Sequence, residues 1–298
     1  MKLFYKIITV LLLACFPSLT ITGNTQNIIL TGAQETGSYE FVKELARIWT
    51  TSAKDLQEEF VPSPESSIET RLRKLENNRV TSAIIDAETA YLELENFPGL
   101  QVLSILWTNW LIILGKDLRP YLNLSETKTM LVHENSLYFA RVWNSLVPET
   151  NYNWFNANKL PDLSEGFSEE NLVLTAPIPL KEINYLFEKF PGIKPLSIDE
   201  RLVRTLRSKF KWLIPKKIPA NSFLYHSKPL QSVIWHPVMV VRKDFPLSKA
   251  TKLLKLIYDQ RNSLVPHPLF NNLRLTDNLP YQKIYSFHPA LKSMLNLK

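Results

Sequence analysis

The feature that most constrains this chain is a repeated change of hydrophobic period. Asn27 to Leu30 is a short apolar run of strand length. Phe41, Val42, Leu45, Ile48 and Trp49 then recur at helical spacing. Val61-Pro62-Ser63-Pro64-Glu65 reads as irregular. Ser66 and Glu69 follow in capping-box register and open a helix with Ile68, Leu72 and Leu75 on one face. Val80 to Ile85 reads as a strand, Glu88 to Glu95 as a helix, and Val102–Trp107 and Trp110–Leu114 as two strands in quick succession. The pattern continues with strands at Met130–Val132 and Leu172–Thr175. Helices are predicted at Ser136–Leu146, over Leu180, Ile183, Leu186 and Phe187, and over Leu202, Leu206 and Phe210. Pro215 to Pro229 reads as broken by proline. Ser232 to Val241 reads as one long strand, with Pro237 forcing an edge or kinked position. Helices over Leu253, Leu254 and Ile257, and then over Leu291 and Leu295, close the chain. This alternation predicts an α/β fold with a mainly parallel sheet. No single linker divides it, so two lobes joined by crossing strands are expected rather than separate beads.

The 298 residues, 45% apolar and 21% charged, suffice for a sizeable core. The net charge of +7 is spread thinly, as at Arg71, Arg73 and Lys74 or at Lys216 and Lys217. No run of five like charges and no aromatic-interleaved basic stripe occurs, which argues against nucleic acid as a partner.

Lys2 and Lys6 precede an apolar run from Ile7 to Cys15, too short for a bilayer span of about 20 residues. Residues 1–23 read as a bacterial-type secretory signal, which implies a periplasmic protein. Leu12-Leu13-Ala14-Cys15 has the form of a lipobox, so Cys15 is a candidate lipid anchor. The alternative is that Cys15 leaves with the signal. Either way no thiol remains for a disulfide, a nucleophile or a thiolate metal site.

The five histidines lack metal-ligand spacing, and no G-x-S-x-G elbow occurs. No enzyme, metal site or cofactor is therefore expected. Gly32-Ala33-Gln34-Glu35-Thr36-Gly37 has the glycine spacing of a phosphate loop between a strand and a helix. Ser38 and Tyr39 stand where that loop needs Lys and Ser or Thr. What remains is either a helix N-terminus able to hold a polar or anionic ligand, or an ordinary turn.

Thr31-Gly32 through Gly37-Ser38-Tyr39 resembles the opening motif of the TAXI family, the solute receptors of tripartite ATP-independent periplasmic (TRAP) transporters. Ser63-Pro64-Glu65-Ser66-Ser67 falls on the family's second, serine-rich loop, and Ile84-Ile85-Asp86-Ala87-Glu88 on a further family segment. Leu103–Leu106, Pro179–Ile183, Ile218-Pro219-Ala220-Asn221 and His288-Pro289-Ala290-Leu291 follow in family order. The resemblance implies a type II periplasmic-binding-protein fold. Residues 24–111 with 236–298 would form one lobe and residues 112–235 the other. It implies a receptor that closes on a small solute and hands it to membrane permease subunits. The alternative is a stand-alone envelope protein that keeps the binding fold for sensing or scaffolding.

Carried onto this sequence, the ligand-binding positions are Gly32 to Gly37, Tyr39, Ser63, Glu65, Ser66, Ser67, Asp86, Glu88, Asn135, Ser136 and Pro179. Family relatives bind carboxylates. Yet Ala33, Glu65, Ser66 and Asn221 replace family glycines, and Glu35, Glu65, Asp86, Glu88 and Glu134 add negative charge. Acids lining the cleft would favour an amine-bearing ligand; acids facing solvent would leave the carboxylate expectation standing. Tyr39, Trp107, Trp110 and Tyr138 are candidate aromatic walls or core.

Overall fold

A computed structural model of the chain describes residues 25–32, 37–52, 58–65, 67–115, 121–122, 129–133, 151–155, 171–176, 181–223, 226–259 and 273–297. The secretory segment with Cys15, residues 33–36, Ser66, and Glu134 to Leu146 with Asn135, Ser136 and Tyr138 lie outside them, as does Pro179.

The first sheet contains β1 (Thr25–Thr31), β2 (Glu58–Pro64), β3 (Ser82–Ile85), β4 (Leu100–Ile105) and β13 (Val238–Arg242), in the order β2-β1-β3-β13-β4. β1 pairs in parallel with β2 and β3, while β13 runs antiparallel to β3 and β4. The second sheet takes β5 (Asn109–Gly115), β7 (Thr129–His133), β8 (Asn151–Phe155), β9 (Asn171–Ala176), β11 (Ile214–Ile218) and β12 (Leu230–Trp235), ordered β11-β12-β5-β9-β7-β8. β10 (Lys194–Ile198) adds to β5 and to β6 (Tyr121–Leu122). This is the mixed α/β architecture of two sheets and crossing strands that was expected. The expectation of a mainly parallel sheet needs correction: parallel pairing holds away from the crossings, and the strands nearest them pair antiparallel, because the chain that leaves through β4–β5 must return through β12–β13.

Three local expectations also change. Residues 61–64 are strand rather than irregular, because β2 pairs with the whole length of β1. Pro62 and Pro64 are tolerated because β2 lies at the sheet edge. Pro215 sits likewise in β11, an edge strand paired to β12. The long run from Ser232 to Val241 splits at His236-Pro237 into β12 and β13, one in each sheet.

Helix α1 (Gly37–Ser52) follows β1, α2 (Ile68–Glu76) follows β2, and α3 (Ala87–Glu93) follows β3. β2 and β3 flank β1 on opposite sides, so right-handed crossovers put α1 and α2 on opposite faces of the sheet. α1 buries Phe41, Val42, Leu45, Ile48 and Trp49, the residues whose spacing predicted it. Each such side chain contributes about 1.5–3 kcal/mol of burial. Helices α4 (Lys181–Lys189) and α5 (Glu200–Lys209) pack in the second half. Leu186 and Phe187 of α4 join Trp110, Ile112 and Ile234. Leu202, Val203 and Leu206 of α5 join Leu111, Ile113 and Val233, within a core that runs on into the first sheet. α6 (Leu247–Asp259) and α7 (Pro289–Met294) complete the first sheet's cover. His288 opens α7: its Nδ1 accepts from Ala290 N–H at 3.2 Å, and Nε2–H faces Phe245 O at 3.1 Å. No helix among the described residues is long and apolar enough to cross a membrane.

The two crossing segments touch each other. Leu106 N–H donates to Pro237 O at 2.7 Å, and Thr108 Oγ1 lies 3.0 Å from His236 Nε2. The Tyr281 hydroxyl sits 2.8 Å from the other ring nitrogen of His236. Burial pushes the imidazole down to about 3, with Lys216 adding to the shift, so His236 is neutral at the crossing.

Candidate functional site

β1, β2 and β3 run parallel and end together, so the loops after all three open on one edge. The connections from β1 go to one neighbour and those from β2 return to the other. That reversal of direction leaves a crevice at the carboxyl ends, where ligands bind in open α/β sheets. The crossing segment after β4 lies beside it: the Trp107 ring packs 5.4 Å from Phe41 of α1, and its Nε1–H donates to Asn109 Oδ1 at 3.1 Å.

The edge is closely tied. Thr31 is buried, its hydroxyl donating to Gly32 O at 2.9 Å, and its carbonyl accepts from Glu65 N–H at 3.1 Å. Ser63, one residue before the end of β2, has its carbonyl 3.5 Å from Thr31 Oγ1. Gly32 N–H donates to Ser38 Oγ at 2.9 Å, tying the end of β1 to the first turn of α1. Gly37 begins α1 exposed, and Tyr39 is half-buried two residues on.

Several predicted site residues serve the fold. Ser67, not Ser66, caps α2, accepting from Thr70 N–H at 3.2 Å. Glu65 reaches Lys74 Nζ at 2.6 Å and accepts from Ser67 N–H at 3.3 Å. The lysine contact, then the Ser67 amide, holds its carboxyl below the usual range. Asp86 caps α3, taking Thr89 N–H at 2.8 Å and Thr89 Oγ1 at 2.9 Å. Glu88 lines a groove between α2 and α3. Trp107 and Trp110 are buried, and so belong to core.

Amid these acids lies a group the motif reading did not single out. Arg71, one turn into α2, is 8% exposed. Its Nη1 donates to Ile84 O at 2.5 Å, while its Nε–H is buried with no partner among the described residues. Burial lowers its pKa, against the opposing pull of Asp86 and then Glu65. The sequence did carry a signal: Arg71 stands on the stripe Ile68, Leu72, Leu75, where apolar residues belong. A buried guanidinium bonded to Ile84 near the end of β3, with a donor that meets no partner among the described residues, has the chemistry to pair with a planar anion.

No protein-family model matches the chain, and no curated protein matches it in sequence. Among solved structures it is similar to a TctC solute-binding protein from Polaromonas, with 13% identity and a TM-score of 0.47 over 94% of this chain and 95% of that one. It is also similar to an amino acid ABC transporter substrate-binding protein from Streptococcus pneumoniae bound to L-arginine, with 12% identity and a TM-score of 0.42 over 80% and 90% of the two chains. A third is the cysteine-binding protein from Campylobacter jejuni, with 10% identity and a TM-score of 0.41 over 88% and 89%.

Proposed function

We propose that this chain is a two-lobed extracytoplasmic solute-binding protein that takes a small carboxylate-bearing solute and performs no chemistry on it. Residues 24–111 with 236–298 make one lobe and residues 112–235 the other. The loops holding Gly32 to Gly37 and Ser63 to Ser67 line one wall of the cleft. Asn135, Ser136 and Pro179 belong to the opposite wall. The observation that carries the reading is Arg71, a buried cation bonded to Ile84 near the carboxyl end of β3, whose Nε–H has no partner among the described residues.

The same geometry bears on the charge of the ligand. Two of the five acids that would favour an amine are committed: Glu65 to Lys74 and Asp86 to Thr89. The TAXI-like motifs extend the proposal to delivery of the solute to TRAP permease subunits, with Cys15 as the tether.

Calorimetry with glutamate, 2-oxoglutarate and spermidine tests the ligand class. A carboxylate should bind with a Kd of about 1–100 μM and spermidine should not. Arg71→Ala should weaken binding by about tenfold or more, and Arg71→Lys by less, because lysine keeps the charge without the fork. Circular dichroism on both variants separates lost binding from lost fold. Binding of spermidine alone overturns the reading.

A further inference from the structure

Two oppositely charged surfaces meet at one point of the molecule. The groove between α2 and α3, about 600 Å³, is lined by Glu69, Glu76, Glu88 and Glu93 against the single cation Arg73. Its lining includes Leu92, which is 53% exposed although large and apolar. The second surface is α5 and the turn after it, where Arg201, Arg204, Arg207 and Lys211 are all exposed. Those four form no ion pair among the described residues.

The two surfaces are neighbours. Tyr91 of α3, itself 37% exposed, packs its ring 5.2 Å from Trp212, which follows α5 directly. An acidic groove beside a basic helix, with exposed Tyr91 and Leu92 near their junction, is self-complementary: a two-fold axis at that junction lays each surface on its opposite in the other molecule. Such an interface has an apolar centre and a charged rim.

We propose that a second copy of this chain docks here, its α5 along the α2–α3 groove, with the exchange made mutual by a two-fold axis near Tyr91 and Leu92. This is a different surface from the solute site proposed around Arg71, although both draw on α2.

Sedimentation equilibrium of the full chain from about 1 to 500 μM should show a monomer–dimer equilibrium, by the usual range of weak self-association. Raising salt from about 50 to about 500 mM should weaken it, since the rim charges become screened. The triple variant Glu69→Lys/Glu76→Lys/Glu93→Lys should be monomeric by itself, as should Arg201→Glu/Arg204→Glu/Arg207→Glu. Mixing the two should restore a 1:1 dimer, because both contacts regain opposite charges. Leu92→Asp should also dissociate the parent dimer. Monomer at every concentration overturns the proposal. So does a dimer that survives both triple reversals, or a mixture of the reversed variants that stays monomeric.

Discussion

At the scale of single residues, the informative positions are those where a side chain does a job its type rarely does. Asn221 takes a φ of 61° at the turn where the resembling family carries glycine. Its N–H donates to His226 O at 2.7 Å, closing that turn. The apparent loss of a glycine is therefore a substitution by the side chain that best tolerates left-handed backbone. Asn221→Gly should leave stability within a few tenths of a kcal/mol or raise it, whereas Asn221→Val should cost about 1–2 kcal/mol, read by urea denaturation. Spacing singles out Gly32, Ser67 and Asp86, which in the fold tie a strand to a helix and cap two helices. Formal charge alone does not reveal that Asp86 caps a helix or that Lys74 neutralises Glu65. Arg71 was missed because an arginine on an amphipathic helix looks like a solvated charge until its burial is known.

Elements were legible where burial imposes a period. α1 and β5 appear where the apolar pattern put them, because each buries that pattern. β2 and β11 were hidden by proline, whose missing N–H costs nothing at an edge strand with no neighbour on that side. Nor did local sequence reveal the polar node that joins three elements beneath the crossing. Asn278, in the 3₁₀ helix Leu275–Tyr281, is fully buried. Its Oδ1 accepts from Ile105 N–H at 2.9 Å, and its amide nitrogen donates to Tyr258 Oη at 2.7 Å and to Leu275 O at 2.8 Å. Tyr258 Oη in turn lies 2.6 Å from Ser104 Oγ. Its phenol is pushed up to about 12, mainly by burial, and remains protonated. Replacing Asn278 with leucine strands the Ile105 amide and should cost about 2–4 kcal/mol in chemical denaturation. Tyr258→Phe should cost less, about 1 kcal/mol, because the Ser104 hydroxyl still reaches Ile105 O at 2.5 Å.

For the whole molecule, three imidazoles buried among the described residues contribute to the response to acid. Burial is the first cause of the lowered pKa at His226, His236 and His288. A folded pKa below the unfolded value means that the unfolded chain binds more protons in the interval between them. Stability is then complete above about pH 6.5 and falls as pH drops toward 3, the value for His236. Between pH 7 and pH 4.5 the His236 contribution alone is on the order of 2 kcal/mol. Thermal melts across that range should show a steep fall for the parent chain and a shallower one for His236→Gln, measured against each protein's own midpoint at pH 7. A parallel fall in both would assign the acid sensitivity elsewhere.

The contact between Leu106 and Pro237 has a mechanical consequence. On one side of it Asn109 is paired with Trp235, and on the other Ile105 is paired with Val238. With the Leu106 amide bonded to the Pro237 carbonyl in between, the two connections form one continuous ribbon rather than two strings. A pair of strings would let the sheets slide, tilt and rotate independently. A bonded ribbon resists sliding, since that shears its hydrogen bonds, and yields most easily in torsion about its own length. The ribbon between the sheets therefore favours twist over slide.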